Sequence, residues 1–264
     1  MTDLQADHRL RLDVRIRAAP AVIFPLLSTP EGFASWMGEG SEIGAEAGAP
    51  MRVVYPNGVE AHGEVVESDP PHRVVFTWGY KDGANGIEPG ATRVTITLEE
   101  EDEVTLLTLE HEGFDTEDQA GAHRGGWRYY TALLTEAASA AAFDGFLTQR
   151  VAAFIDAWGE TDLDLRRQKL DECVRDDVVF RDAMGYTTGI DDLVGHISAA
   201  LRFMPGVRLE ARGEPARTHE VAVFGWRMVG PEGAELAVGD NIARLAGDGR
   251  FREVVGVRRE SAEG

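Results

Sequence analysis

The chain of 264 residues carries 46 Asp and Glu against 26 Lys and Arg, for a net charge of -20, and a surface this acidic repels nucleic-acid backbones and anionic membranes. Its one cysteine, Cys173, cannot close an internal disulfide, and the histidines stand apart without ligand spacing, so no metal, no cofactor and a reducing, cytoplasmic setting are expected. No apolar run approaches the roughly 20 residues that span a bilayer, and the first ten residues lack a signal core, which predicts a soluble protein without membrane contact.

The charge is unevenly shared: residues 1–140 hold 10 Lys and Arg against 24 Asp and Glu, the remainder 16 against 22. Residues 10–17 alternate, with Leu10, Leu12, Val14 and Ile16 on one side and Arg11, Asp13, Arg15 and Arg17 on the other, the pattern of a half-buried strand. APAVIFPLLSTPEGFASWM follows, with Pro20 and Pro30 each at a first helical turn and Thr29 placed to cap the second of two short helices. Five strands come next: MRVVY, VEAHGEVVES across the Asn57-Gly58 turn, RVVFTWG, TRVTITL and VTLLTLE. The acidic run Glu99 to Glu103 reads as a solvated hairpin tip.

From Gly121 to Trp158 the apolar residues recur at helical spacing without a proline, and Ala137 to Ala142 are alanine or serine only, which keeps helix propensity high while supplying little side chain to bury. The reading is a seam there. Trp127 to Ala141 is expected to form the last helix of one domain and Asp144 to Trp158 the first of another, dividing the chain into residues 8–141 and 142–260. Thr161 or Asp162 caps a further helix that is predicted to bury Leu163, Leu170 and Val174. VVFRD then meets the turn AMGYTTG, a helix buries Ile190, Leu193, Val194, Ile197 and Leu201, and four strand-like runs close the chain. Both halves are expected to be α+β.

VRIRAAPAVIFPLLSTPEGFASWM, VVFTW and GWRYYTALL, in that order, resemble the START-like, or SRPBCC, superfamily over about residues 8–140, within it the branch related to the activator of the heat-shock protein 90 ATPase. The resemblance implies a helix-grip fold with a cavity for apolar small molecules. DDVVFRDAMGYTTGIDDLVGHI and GDNIARLAGDGRFREVVGV resemble the nuclear transport factor 2-like superfamily over about residues 144–258, specifically its SnoaL-like and ketosteroid-isomerase-like members. That resemblance implies a cone-shaped pocket, often enzymatic, and a homodimer formed through the outer sheet face.

Asp182 is the sharpest candidate, because it shares strand parity with Val178 and Phe180 and so faces inward with them. Apolar walls disfavour the charged carboxylate and suit it to proton transfer. The matching aspartate of ketosteroid-isomerase-like enzymes is the general base, whereas an aspartate that leads into a turn also caps backbone amides. Val151 stands where those enzymes place a tyrosine, and Asn241 where they place a protonated aspartate, so the resemblance supplies a single hydrogen-bond donor. Asp240 falls on the opposite face unless the strand slips by one position. Tyr186 and Trp226 are candidates for the rim of the cone, and Trp36, Trp78 and Trp127 for the border of the first cavity, each competing with a plain packing role. No GxSxG elbow or phosphate-cradling loop occurs. Three readings follow: binding of a small apolar or aromatic molecule in one or both cavities; cofactor-free cyclase-, isomerase- or hydratase-like catalysis with Asp182 as base; and a chaperone-associated regulatory module. Fold likeness alone does not choose between them.

Overall fold

The computed structural model describes residues 8–259, and the chain divides between Ala141 and Ala142 into two units. Both mix helices with one sheet, an α+β arrangement.

The first unit begins with strand β1 (His8–Ile16), whose Leu10 and Ile16 are buried while Arg9, Arg11, Asp13 and Arg15 are exposed. Helices α1 (Pro20–Ser28) and α2 (Pro30–Met37) follow, each with proline in its first turn, and Thr29 accepts a hydrogen bond from Gly32 N as the cap of α2. Strands β2 (Glu42–Ile43), β3 (Pro50–Val54), β4 (Glu60–Asp69), β5 (Arg73–Tyr80), β6 (Thr92–Glu101) and β7 (Val104–Phe114) complete a sheet of order β1-β7-β6-β5-β4-β3-β2. Every pairing in it is antiparallel. Alternation buries Met51, Val53, Val74, Phe76, Trp78, Val94, Ile96, Leu107 and Leu109. Each such large apolar side chain contributes about 1.5–3 kcal/mol when fully withdrawn from water.

Helix α3 runs from Glu117 to Ala157, and the two helices expected on either side of the alanine stretch are one. Its start is a reciprocal cap: Thr116 Oγ1 accepts from Gln119 N, while Gln119 Oε1 accepts from Asp115 N and Thr116 N. Glu117 and Asp118 add negative charge to the first turn, where the helix dipole favours it. The alanine-rich run holds no proline, and its one serine, Ser139, donates back to Thr135 O within the helix, so the backbone has no reason to stop and the change of partner at Ala141 occurs within a continuous helix.

In the second unit, α4 (Leu163–Cys173) is capped by Asp162, whose side chain accepts from Asp164 N and Leu165 N. Its inward face differs from expectation. Leu163 is 57% exposed, and the buried positions are Arg166, Leu170 and Cys173. Strands β8 (Val174–Asp182) and β9 (Gly185–Thr188), helix α5 (Ile190–Phe203) and strands β10 (Arg208–Thr218), β11 (Val221–Val229), β12 (Glu235–Leu245) and β13 (Phe251–Arg259) follow. The sheet order is β10-β11-β12-β13-β8-β9, with β13 and β8 parallel and the other pairs antiparallel. The core centres on Phe154 of α3, whose ring lies 5.8 Å from Phe224, 5.9 Å from Phe251 and 6.3 Å from Phe180. On α5, Ile190, Leu193, Ile197 and Ala200 are buried, while Val194 and Leu201 pack at the margin. Among the described residues no helix is long and apolar enough to cross a membrane.

Candidate functional site

The second unit holds a cavity of about 280 Å³ with apolar walls that include Trp158, Phe180, Met204, Trp226 and Met228, and with Asp182, Asn241 and Arg258 as its polar groups. Sheet register brings two of these together. Asn241 on β12 pairs with Gly256 on β13, and Val255 of β13 lies beside Arg181 of β8, so the next residues along, Gly256 and Asp182, are neighbours in turn. A Cβ on Gly256 would stand 3.2 Å from Asn241 Oδ1 and 3.4 Å from Asp182 Cβ. The missing side chain therefore leaves a slot, with the amide and the carboxylate about two strand spacings, roughly 10 Å, apart at their backbones.

The Asp182 side chain is 15% exposed and fully engaged. Oδ1 accepts from Met184 N and Gly185 N, both at 2.8 Å, and Oδ2 lies 3.1 Å from His196 Nε2. It thus caps the turn and lines the cavity at once. A carboxylate oxygen accepts, so His196 Nε2 carries the hydrogen of this bond. Gly185 permits this approach, since a Cβ there would meet the His196 ring at 3.0 Å. The ring packs 5.4 Å from Phe180 and 5.9 Å from Trp158. Trp158 Nε1 is buried without a hydrogen-bond acceptor.

The other proposed positions separate. Trp226 lines the cavity and is 9% exposed. Asp240 does not line it: β12 keeps its register, and the carboxylate pairs with Arg259 on the opposite face from Asn241. Tyr186 is 60% exposed, with the Arg181 guanidinium 5.3 Å above its ring, and stands outside the cavity.

The first unit has a cavity of about 410 Å³ bordered by Trp78, Trp127, Tyr55, Tyr80, Tyr130 and His123. Trp36 is not among its walls. It is 1% exposed, and its Nε1 donates to Leu26 O across the α1–α2 corner. Behind the cavity the ring protons are placed by their partners. His123 Nδ1 faces Gln119 O at 2.8 Å, and a carbonyl only accepts, so Nδ1 carries the hydrogen and Nε2 accepts from the Tyr80 hydroxyl at 3.1 Å. Trp127 Nε1 donates to His111 Nδ1 at 3.0 Å, so His111 carries its hydrogen on Nε2 and directs it to Thr92 Oγ1, which donates to Trp78 O. Burial, with the neighbouring His123, pushes His111 down to about 2, and burial lowers His123 as well despite its bond to Gln119. Burial raises Tyr55, Tyr80 and Tyr130, so all three stay neutral phenols at ordinary pH. Among the described residues no group of three His, Cys, Asp or Glu is placed to hold a metal ion.

Residues 17–139 match the family model for Activator of Hsp90 ATPase homolog 1-like protein (AHSA1), and residues 151–254 match that for the SnoaL-like domain. The chain is an AHSA1-like domain fused to a SnoaL-like domain. Among solved structures, an AHSA1-like protein from Rhizobium etli is 32% identical over 50% of this chain and 82% of its own, with a TM-score of 0.40. A SnoaL-like family protein from Agrobacterium tumefaciens is 26% identical over 42% of this chain and 96% of its own, with a TM-score of 0.41. The Aha1 dimer from Colwellia psychrerythraea is 20% identical over 49% of this chain and 94% of its own, with a TM-score of 0.43. No curated protein matches the chain. The helix-grip and nuclear transport factor 2-like architectures expected from the sequence hold, and both domains are of kinds typical of ligand-binding or polyketide-cyclase-like folds.

Sequence reasoning missed three features of these sites. His196 belongs to the SnoaL-like site although it lies 14 residues from Asp182; its signal was its place between Leu193 and Ile197 on the apolar stripe of α5. Trp158 was legible only as a buried helix residue. In the AHSA1-like domain, Tyr55, Tyr80 and His123 come from two strand ends and a helix, and no spacing in the sequence links them.

Proposed function

We propose that the SnoaL-like domain binds a small, largely apolar molecule whose polar group lies over Gly256 between Asn241 and Asp182. The observation that carries this reading is the cavity itself: aromatic and methionine walls with a few convergent polar groups, the usual composition of a small-molecule site. Titration of the full chain with the neutral lipophile N-phenyl-1-naphthylamine, followed by its fluorescence, is expected to saturate at a site in this domain. Gly256→Ala puts a methyl group in the slot and is expected to weaken that binding by about tenfold, the equivalent of roughly 1.4 kcal/mol. Equal affinity in the variant would count against the assignment.

The Asp182–His196 pair favours a second reading, cofactor-free proton transfer. With Oδ1 held by two amides, Oδ2 and the imidazole form a connected acceptor and donor at the edge of the cavity, where a substrate C–H or hydroxyl proton is taken up and returned elsewhere on the same molecule. Asp182→Asn separates the two readings, because an amide oxygen still accepts from Met184 N and Gly185 N but takes up no proton. Retained binding with turnover lowered by a factor on the order of 100 or more supports catalysis, and unchanged turnover removes it.

A further inference from the structure

We propose, resting on the reading of the SnoaL-like cavity as a small-molecule site, that its ligand is a carboxylic acid whose carboxylate pairs with Arg258 at the rim while its neutral polar group sits over Gly256. Two charged residues border the cavity, Asp182 and Arg258. Asp182 is matched within the protein by Met184 N, Gly185 N and His196. Arg258 is not: among the described residues its guanidinium makes no ion pair and no hydrogen bond. Neighbouring arginines of the same sheet are paired, Arg259 with Asp240, Arg244 with Glu220 and Glu253, and Arg227 with Glu210. In a chain of net charge -20, an arginine left without a carboxylate at the edge of a cavity is matched by an anion brought from outside.

Sheet register sets Arg258 in line with the rest of the site. It shares the parity of Gly256 on β13 and lies two residues, roughly 7 Å, farther along the strand. It pairs with Gly239 of β12, which pairs in turn with Trp226 of β11. A Cβ on Gly239 would collide with the Trp226 ring, so the glycine lets the indole lean across β12 toward Arg258. An apolar body laid along Trp226 therefore reaches Arg258 at one end and Asn241 with Gly256 at the other.

Charge fixes the direction in which such a molecule enters. A carboxylate at the Gly256 end would lie beside the like charge of Asp182, whereas at the rim it meets an opposite one. Arg258 is exposed, so the acid keeps part of its water there and pairs without the full cost of desolvation. The planar guanidinium also holds both carboxylate oxygens at once. The field of the whole molecule opposes an anion, and a preference for the acid over a neutral analogue is thus the work of a local charge.

The test titrates the full chain, at neutral pH and low ionic strength, with 6-hydroxy-2-naphthoate and with its methyl ester, which keeps the rings and the hydroxyl without the charge. Calorimetry is expected to show the acid binding about fivefold more tightly. Arg258→Gln is expected to remove that advantage and leave the ester unchanged, and Arg258→Lys to keep part of it. Arg259→Gln removes the same charge from the opposite face and is expected to leave both affinities as they were. An ester that binds as tightly as the acid, a preference that survives Arg258→Gln, or one lost equally in Arg259→Gln would each overturn the proposal. Binding of neither compound overturns it as well, and N-phenyl-1-naphthylamine then separates the causes: a site still weakened by Gly256→Ala leaves the small-molecule reading standing, and no such site removes both.

Discussion

His111 and His123 show how one residue's surroundings set a property of the protein. Both are buried as neutral rings, their protons committed by Trp127, Thr92, Tyr80 and Gln119 O. Burial lowers the folded-state value of each from the ordinary 6.5, in His111 to about 2. The unfolded chain therefore binds protons first as pH falls, so the stability they contribute is complete above about 6.5 and is lost below it, for His111 down to about 2. Each pH unit in that window costs up to about 1.4 kcal/mol per histidine. Urea midpoints of the AHSA1-like transition are expected to fall between pH 7.5 and pH 5.5, and a flat profile would contradict this account. Asp182 makes a contrasting case. Its inward direction was legible from strand parity with Val178 and Phe180, and in the structure the carboxylate caps its turn and also borders the cavity.

At the scale of the element, α4 shows where periodicity misleads. The apolar spacing predicts Leu163 inward, but Leu163 sits at the exposed start of the helix, and the interior position belongs to Arg166, 2% exposed. The guanidinium reaches Glu160 O through Nε and Nη2, and Val194 O and Ser198 Oγ through Nη1, tying the α4 entry to α5. Hydropathy counts an arginine as outward, and only the carbonyls gathered around it make burial tolerable. Arg166→Ala is expected to cost about 3 kcal/mol in chemical denaturation, because it strands those carbonyls. Leu163→Ser is expected to change stability by less than about 0.5 kcal/mol, as exposed positions usually do. The α2 cap, by contrast, is readable from the sequence, and the structure chooses Asp162 over Thr161 for α4, since Thr29 and Asp162 bond to amides two or three residues away.

For the whole molecule, the division between Ala141 and Ala142 falls inside α3, and the SnoaL-like core draws on residues from Phe143 onward. Two separately packed units predict two heat-absorption peaks in a calorimetric scan. Gly126 lies inside α3, where an added Cβ would meet nothing within 4 Å, and Gly126→Ala is expected to raise one of them by a few degrees, on the order of 1 kcal/mol, and to leave the other in place. A single peak shifted as a whole would show that the units unfold together.

The sequence by itself determined the class of both domains, the alternation of their strands, the turns and caps, and the inward aspartate, because each of these depends on residues close along the chain. Tertiary structure decided that Trp78 and Trp127 border a cavity while Trp36 fills a core, and that Asp240 and Tyr186 stand outside the second site. It also decided that Asn241, Gly256, Asp182 and His196 meet. That last group depends on the antiparallel register of β12 with β13, the parallel register of β13 with β8, and the docking of α5. Register is a property of strands paired in space, and no local pattern along the chain encodes which distant side chains it brings face to face.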